Sequence, residues 1–293
     1  MNAKFNILFT SCSMIIWLMT TGCKGGAGNS EVISDTHNTV PDTSGRVDSL
    51  GNGKTYKMII ESKPDLVEAG KQVVFVLTPQ IPGKETEPVP LNKRGGFEID
   101  LIMVSNDLSW FDHRHPVLAD LGTYEQNYTF SKGGLYNLYV DYQPTGSIEM
   151  YELKSIGVNG NSLKQKKYSD PVLTSVAGPF EVSISPGQDS TFESGTMQTI
   201  NTKITKGETL FGLNDLGDYL GSKGYMVIIS VKEKDYLRVQ PVLENGNLDF
   251  HTVFPLPGFY RAWLQFQTEN IVQTADFVIQ VVESEHSSET LTN

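Results

Sequence analysis

The chain has almost no cysteine. Among its 293 residues only Cys12 and Cys23 carry a thiol, and both precede Lys24. From Lys24 onward there can be no disulfide, no cysteine zinc site and no thiol nucleophile. A blue-copper centre is excluded on the same ground, because its defining ligand is a thiolate. Convincing helical periodicity is missing too, and no second apolar run long enough to cross a bilayer follows the one at the N-terminus. There is no G-x-S-x-G, no H-E-x-x-H and no glycine-rich phosphate loop, so the common signatures of hydrolytic and nucleotide enzymes are absent and no enzyme is expected. Basic residues are outnumbered, 23 Lys+Arg against 34 Asp+Glu, for a formal charge of -11. Such a surface repels phosphate backbones, and a nucleic-acid partner is not expected.

What is present begins with MNAKFNILFTSCSMIIWLMTTGCKGG, in which Lys4 is the only charge before Lys24. The apolar stretch Phe5–Met19 is too short to span a membrane and suits a secretory signal. Followed by Gly22-Cys23, it resembles a bacterial lipoprotein signal, with residues 1–22 removed and Cys23 lipidated; Thr20 stands where a leucine is usual. An ordinary signal peptide cleaved elsewhere is the alternative. Acyl chains on Cys23 would anchor the protein, since each buried CH₂ contributes about 0.8 kcal/mol. Lys24 after the cysteine resembles lipoproteins sorted to an outer membrane in hosts that have one. Residues 23–54 hold few large apolar side chains and read as a flexible tether, and 285–293 as a disordered tail. His37 and His286 fall in these segments and read as solvated.

Roughly 230 residues remain, enough for two domains. Apolar residues alternate with period two in LYNLYVDY (Tyr136, Leu138, Val140, Tyr142), in FYRAWLQF (Tyr260, Ala262, Leu264, Phe266) and in TADFVIQVV. Strands of this kind between Gly/Pro turns predict an all-β chain of antiparallel β-sandwiches. Two blocks also match each other. Pro116-Val117-Leu118 aligns with Pro241-Val242-Leu243, Phe130 with Phe254, Gly134-x-Tyr136 with Gly258-x-Tyr260, and Tyr142-Gln143 with Phe266-Gln267, with one gap. This is an internal duplication. It predicts two tandem sandwiches, at 55–157 and 178–284, joined by a linker at 158–177. The shared aromatics read as core. The Gly-x-Tyr pair resembles the tyrosine corner of Ig-like sandwiches, whose hydroxyl bonds nearby backbone.

The chemistry-bearing stretch is DHRHP, with His113 and His115 among only five histidines. Residues i and i+2 of an extended segment point the same way, and Pro116 biases His115 to extended geometry. Two imidazoles on one face can chelate a divalent ion such as copper or zinc, with Asp112 or Asp100 as further oxygens. A solvated or hydrogen-bonded pair is the other reading. In the repeat His113 faces Arg238, His115 faces Gln240 and Asp112 faces Leu237, so the second copy does without the motif. Asp107 and Asp112 read as solvent-facing carboxylates near a turn. Trp110 reads as packing, or as a wall beside the histidines.

The pattern IDLIMVSNDLSWFDHRHP, then GTY and FSKGGLYNLYVDYQPTG, with FHTVFPLPGFYRAWLQFQ in the second copy, resembles a family of bacterial secreted and lipoprotein β-sandwich domains. These are cupredoxin-like or Ig-like modules of the YtkA-like type, often associated with copper or other metal handling. The resemblance implies a metal role for His113 and His115; the family commonly has a histidine where this chain has Asp100. In the second copy Tyr225, Arg238 and Gln240 stand where histidines are expected, leaving His251, which implies that the role is lost there. Together these features predict a membrane-anchored, extracytoplasmic, non-enzymatic binding module. The alternative is an interaction lipoprotein that contacts another envelope protein without a small ligand.

Overall fold

The alternating segments form strands throughout. The computed structural model describes residues 54–284 apart from 163, 188–189 and 244–245. The signal peptide, Cys23, nearly all of the tether, the tail, His37 and His286 lie outside the described residues. Among the described residues there is no α-helix, only two single 3-10 turns at Asp120–Gly122 and Leu213–Asp215, and no helix long and apolar enough to cross a membrane.

The first sandwich runs β1 (Lys57–Lys63), β2 (Val67–Glu68), β3 (Gln72–Gln80), β4 (Ile99–Ser105), β5 (Phe111–Arg114), β6 (Val117–Leu118), β7 (Tyr124–Thr129), β8 (Gly134–Tyr142) and β9 (Met150–Asn159). Its two sheets have the orders β1-β3-β7-β6 and β2-β9-β8-β4-β5. The second runs β10 (Thr174–Ala177), β11 (Phe180–Pro186), β12 (Phe192–Glu193), β13 (Met197–Lys206), β14 (Thr209–Phe211) and β15 (Gly224–Ser230). It continues through β16 (Tyr236–Arg238), β17 (Gln240–Val242), β18 (Asp249–Val253), β19 (Gly258–Thr268) and β20 (Ile271–Val282). Its sheets are β10-β11-β13-β18-β17, with β14 on β13, and β12-β20-β19-β15-β16. Between these strands all pairings are antiparallel except β2 with β9 and β12 with β20.

The duplication is exact in register. Ile99 pairs with Tyr142 and Ser105 with Tyr136 across β4 and β8, while Gly224 pairs with Phe266 and Ser230 with Tyr260 across β15 and β19. Both corner tyrosines are formed: the Tyr136 hydroxyl donates to Lys132 O at 2.9 Å and that of Tyr260 to Leu256 O at 2.7 Å. Gly134 and Gly258 enter these strands at φ +139° and +145°, where a side chain would be strained. Phe130 and Phe254 are buried in their respective cores.

In β4 and β15 every residue but Tyr225 is buried. In β4, Ile99, Leu101 and Met103 fill the first core, and in β15, Met226 and Ile228 fill the second. Their alternate neighbours Ile102, Val104, Val227 and Ile229 join Leu108, Tyr139, Tyr236 and Trp263 in a third buried cluster between the sandwiches. Burial of a side chain of this size stabilises by about 1.5–3 kcal/mol relative to exposure. The cluster has approximate twofold symmetry. Phe111 stacks on Trp263 at 4.8 Å, and their repeat counterparts Tyr236 and Tyr139 stack at 5.6 Å. The described residues belong to one compact unit.

The predicted linker is tied to both sandwiches. β10 occupies its last residues, the Lys166 amide donates to Asp107 Oδ2 at 2.7 Å, and Tyr168 lies 5.2 Å from the Arg261 guanidinium. Asp107 is therefore buried rather than solvent-facing. Trp110 packs edge-on against Tyr136 at 5.4 Å inside the first core and forms no wall beside the histidines.

Candidate metal centre

Period-two alternation decides which carboxylate meets the imidazoles. In β4 the neighbours of Asp100 point into the first core, so Asp100 itself points to the seam between the sandwiches. In β5, His113 pairs with Ile102 and shares that face, and His115 follows one residue past the strand end. His115 Nδ1 lies 3.0 Å and His113 Nε2 3.5 Å from Asp100 Oδ1. The two rings are 4.6 Å apart at 60°. The donor atoms of these three residues all lie within 4.8 Å of one another.

Asp112 is not brought into this group. It sits on the opposite face of β5, where Oδ2 accepts from Arg114 Nη2 at 2.8 Å and from the Tyr128 hydroxyl at 2.7 Å. His251, the remaining histidine implied by the resemblance, stands half-buried on β18, paired with Thr199 and Gln240, away from the three.

The site is enclosed on the Asp100 side and opens towards His115, whose side chain keeps 16% exposure. Asp100 retains 2% exposure. Phe97 stacks on His115 at 4.1 Å and 15°, and Tyr225 of the second sandwich stacks on His113 at 5.2 Å and 28°. His113 Nδ1 is 2.7 Å from Gln265 Oε1, also in the second sandwich. Arg94 Nη2 reaches Asp100 Oδ2 at 3.0 Å and Asp141 Oδ1 at 3.3 Å. Asp100 and Asp141 are direct cross-strand partners, an unfavourable like-charge pair that Arg94 offsets. Burial pushes the Asp100 carboxyl up, but His113, His115 and Arg94 outweigh it and hold the group well below the usual carboxylate range. Burial, Asp141 and Asp100 push the Tyr225 phenol far up, so that hydroxyl stays neutral. Two buried carboxylates against one guanidinium leave one negative charge at the imidazoles.

Arg94 and Phe97 come from one tight turn, in which each donates its amide to the other's carbonyl at 2.7 and 3.1 Å. The offset that places Ile99 on Gly224 places this turn on Tyr219–Ser222, which closes in the same way. The two turns pack backbone to backbone, with Gly95 against Leu220 and Gly221. Beside Arg94 and Tyr225 the seam opens into a cavity of about 220 Å³ also lined by Glu149, Leu220, Met226 and Tyr236.

The donor set fits a metal ion. Asp100 Oδ1, His113 Nε2 and His115 Nδ1 are buried and face one another without hydrogen-bond geometry, while Asp100 Oδ2 is ion-paired with Arg94. Ligand atoms about 2.1 Å from a single ion lie within about 4.2 Å of one another, so the group is near closure. Two imidazoles and a carboxylate suit zinc, copper(II) and similar transition ions rather than calcium or magnesium. Gln265 on the far nitrogen of His113 is the kind of outer partner that metal-ligating histidines have. Arg94, Phe97, Tyr225 and Gln265 were not legible as site residues from spacing. The available signal was a polar or bulky residue at a strand position whose neighbours are all apolar.

No curated protein matches the chain. A family described only as a domain of unknown function (DUF8832) matches residues 174–283, the second sandwich. It is neither the YtkA-like nor the cupredoxin family. Among solved structures the chain is similar to a titin fragment, A168–A169, at 6% identity and a TM-score of 0.21, covering 78% of this chain and 98% of that one. It is similar to domains 4–9 of the surface layer protein SbsC at 12% identity and 0.24, covering 78% and 31%. It is also similar to a putative membrane anchored protein from Corynebacterium diphtheriae at 9% and 0.24, covering 76% and 57%. Likenesses at these scores carry no argument about function.

Proposed function

We propose that this chain is a membrane-anchored, extracytoplasmic, non-enzymatic binding module that holds one divalent transition ion, Cu(II) or Zn(II), through Asp100, His113 and His115. The observation that supports it is the convergence of Asp100, His113 and His115, whose facing atoms Oδ1, Nε2 and Nδ1 are buried and lie outside hydrogen-bond geometry. A bound ion would supply the positive charge that one guanidinium against two carboxylates leaves short. The lipoprotein-like N-terminus, with Cys23 as the lipidated residue, supports anchoring, on an outer membrane where the host has one. The acidic surface argues against nucleic acid. The likeness to metal-handling YtkA-like domains points the same way as the geometry.

Equilibrium dialysis of the full chain against Zn(II) and Cu(II) at neutral pH tests this. One ion per chain is expected, lost in the His113→Ala/His115→Ala variant. Uptake by the wild type no greater than by that variant refutes it. Contact with another envelope protein, without a small ligand, is the second reading. It is favoured by β6, a sheet-edge strand that exposes Val117 and Leu118.

A further inference from the structure

The second sandwich contributes none of the three ligands, yet it touches a ligand ring directly. Tyr225 and Gln265 are cross-strand partners on its seam face, and they are the repeat counterparts of Asp100 and Asp141. Where the first copy has two buried carboxylates, the second presents a neutral ring and an amide, and both meet His113.

A neutral imidazole has one N–H and one lone pair, on opposite sides of the ring. The Gln265 amide makes two further, longer contacts: Nε2 to Thr274 Oγ1 at 3.4 Å and Oε1 to the Tyr219 hydroxyl at 3.4 Å. Oε1 faces His113 Nδ1 at 2.7 Å, and a carbonyl oxygen can only accept. The ring then carries an N–H on Nδ1, and when the imidazole is neutral its lone pair sits on Nε2, 3.5 Å from Asp100 Oδ1. A lone pair against a carboxylate is repulsive unless a proton or a metal cation lies between them.

We infer that Gln265 is a positioning residue for the metal centre. By accepting from Nδ1–H it makes Nε2 of His113 the ligating nitrogen, and the stacked Tyr225 keeps the ring from turning over. The centre is thus complete only with the second sandwich docked on the first. This rests on the metal reading of Asp100, His113 and His115.

The test compares the full chain, ¹⁵N-labelled at its five histidines, with Gln265→Leu and Gln265→Glu, using His113→Ala to assign the signal. In the metal-free wild type, at a pH where the rings are neutral, His113 should carry its proton on Nδ1. Gln265→Glu should keep that tautomer and Gln265→Leu should lose the preference. Zn(II) affinity by titration calorimetry should fall about 10–100-fold in Gln265→Leu and recover in Gln265→Glu. A wild-type proton on Nε2 overturns the inference, as does Gln265→Leu with tautomer and affinity both unchanged. If Gln265→Leu does not fold, the glutamate variant decides alone: an inverted tautomer or weakened binding overturns it. Should the wild type bind no more Zn(II) than His113→Ala, the metal reading fails, while the tautomer comparison still judges the Gln265 contact.

Discussion

Replacing Gly95 by alanine should separate the cost of a strained turn from the cost of forcing the sandwiches apart. Gly95 sits at φ +57°, where an L-residue loses roughly 1–2 kcal/mol. An added Cβ would overlap the Cα and carbonyl carbon of Leu220 and stand 2.7 Å from the Gly221 amide nitrogen. These are backbone atoms, so no rotamer change relieves the clash, and overpacking of this kind adds about 1–3 kcal/mol. The neighbouring Gly96, at φ +99°, has nothing within 4 Å of such a Cβ, so Gly96→Ala suffers backbone strain alone. Urea unfolding of the full chain, followed by tryptophan fluorescence, should show Gly95→Ala less stable than Gly96→Ala by about 1–3 kcal/mol. Zn(II) binding should weaken more in Gly95→Ala, because its turn carries Phe97, which stacks on the ligand ring of His115. Equal losses in the two variants would refute the turn-on-turn reasoning.

Arg94→Gln removes the cation shared by Asp100 and Asp141. Denaturant melts should show a loss on the order of 2–3 kcal/mol, less than for a fully enclosed pair because the guanidinium keeps partial exposure. Zn(II) affinity in the same variant should rise, since a competing positive charge has gone. Asp107 sets a pH dependence: burial raises its carboxyl, but Ser105, the Lys166 amide and Ser109 hold it below the ordinary value. A lowered folded value means the stabilisation is present above the ordinary carboxylate range and is lost as pH falls through the folded value. Thermal midpoints between pH 7 and pH 3 should therefore drop less steeply in Asp107→Asn, and parallel curves would contradict this.

Spacing alone revealed the strands, the duplication and both corner tyrosines, because each is a local pattern of period two or a short fixed offset. The seam was less visible. Its signal was IDLIMVS and GYMVIIS, runs with little alternation, which is what a strand buried on both faces produces. The same arithmetic sorts the carboxylates: Asp112 is one residue from His113 and so faces away, whereas Asp100 reaches the rings from the adjacent strand. Gln265 is 152 residues from His113, and no local pattern links them. Only the alignment of Tyr225 and Gln265 with Asp100 and Asp141 marks those positions as places where the two copies differ in charge.

The approximate twofold packing has a further consequence. Two identical subunits joined across such an axis must present the same residue on both sides, so a carboxylate near the axis would meet its own image. Joining the halves in one chain lifts that requirement: one half can keep acids and imidazoles while the other turns the matching positions into the surface that holds them. Two identical shallow sites are thereby exchanged for a single lopsided one, with a floor and a roof of different chemistry.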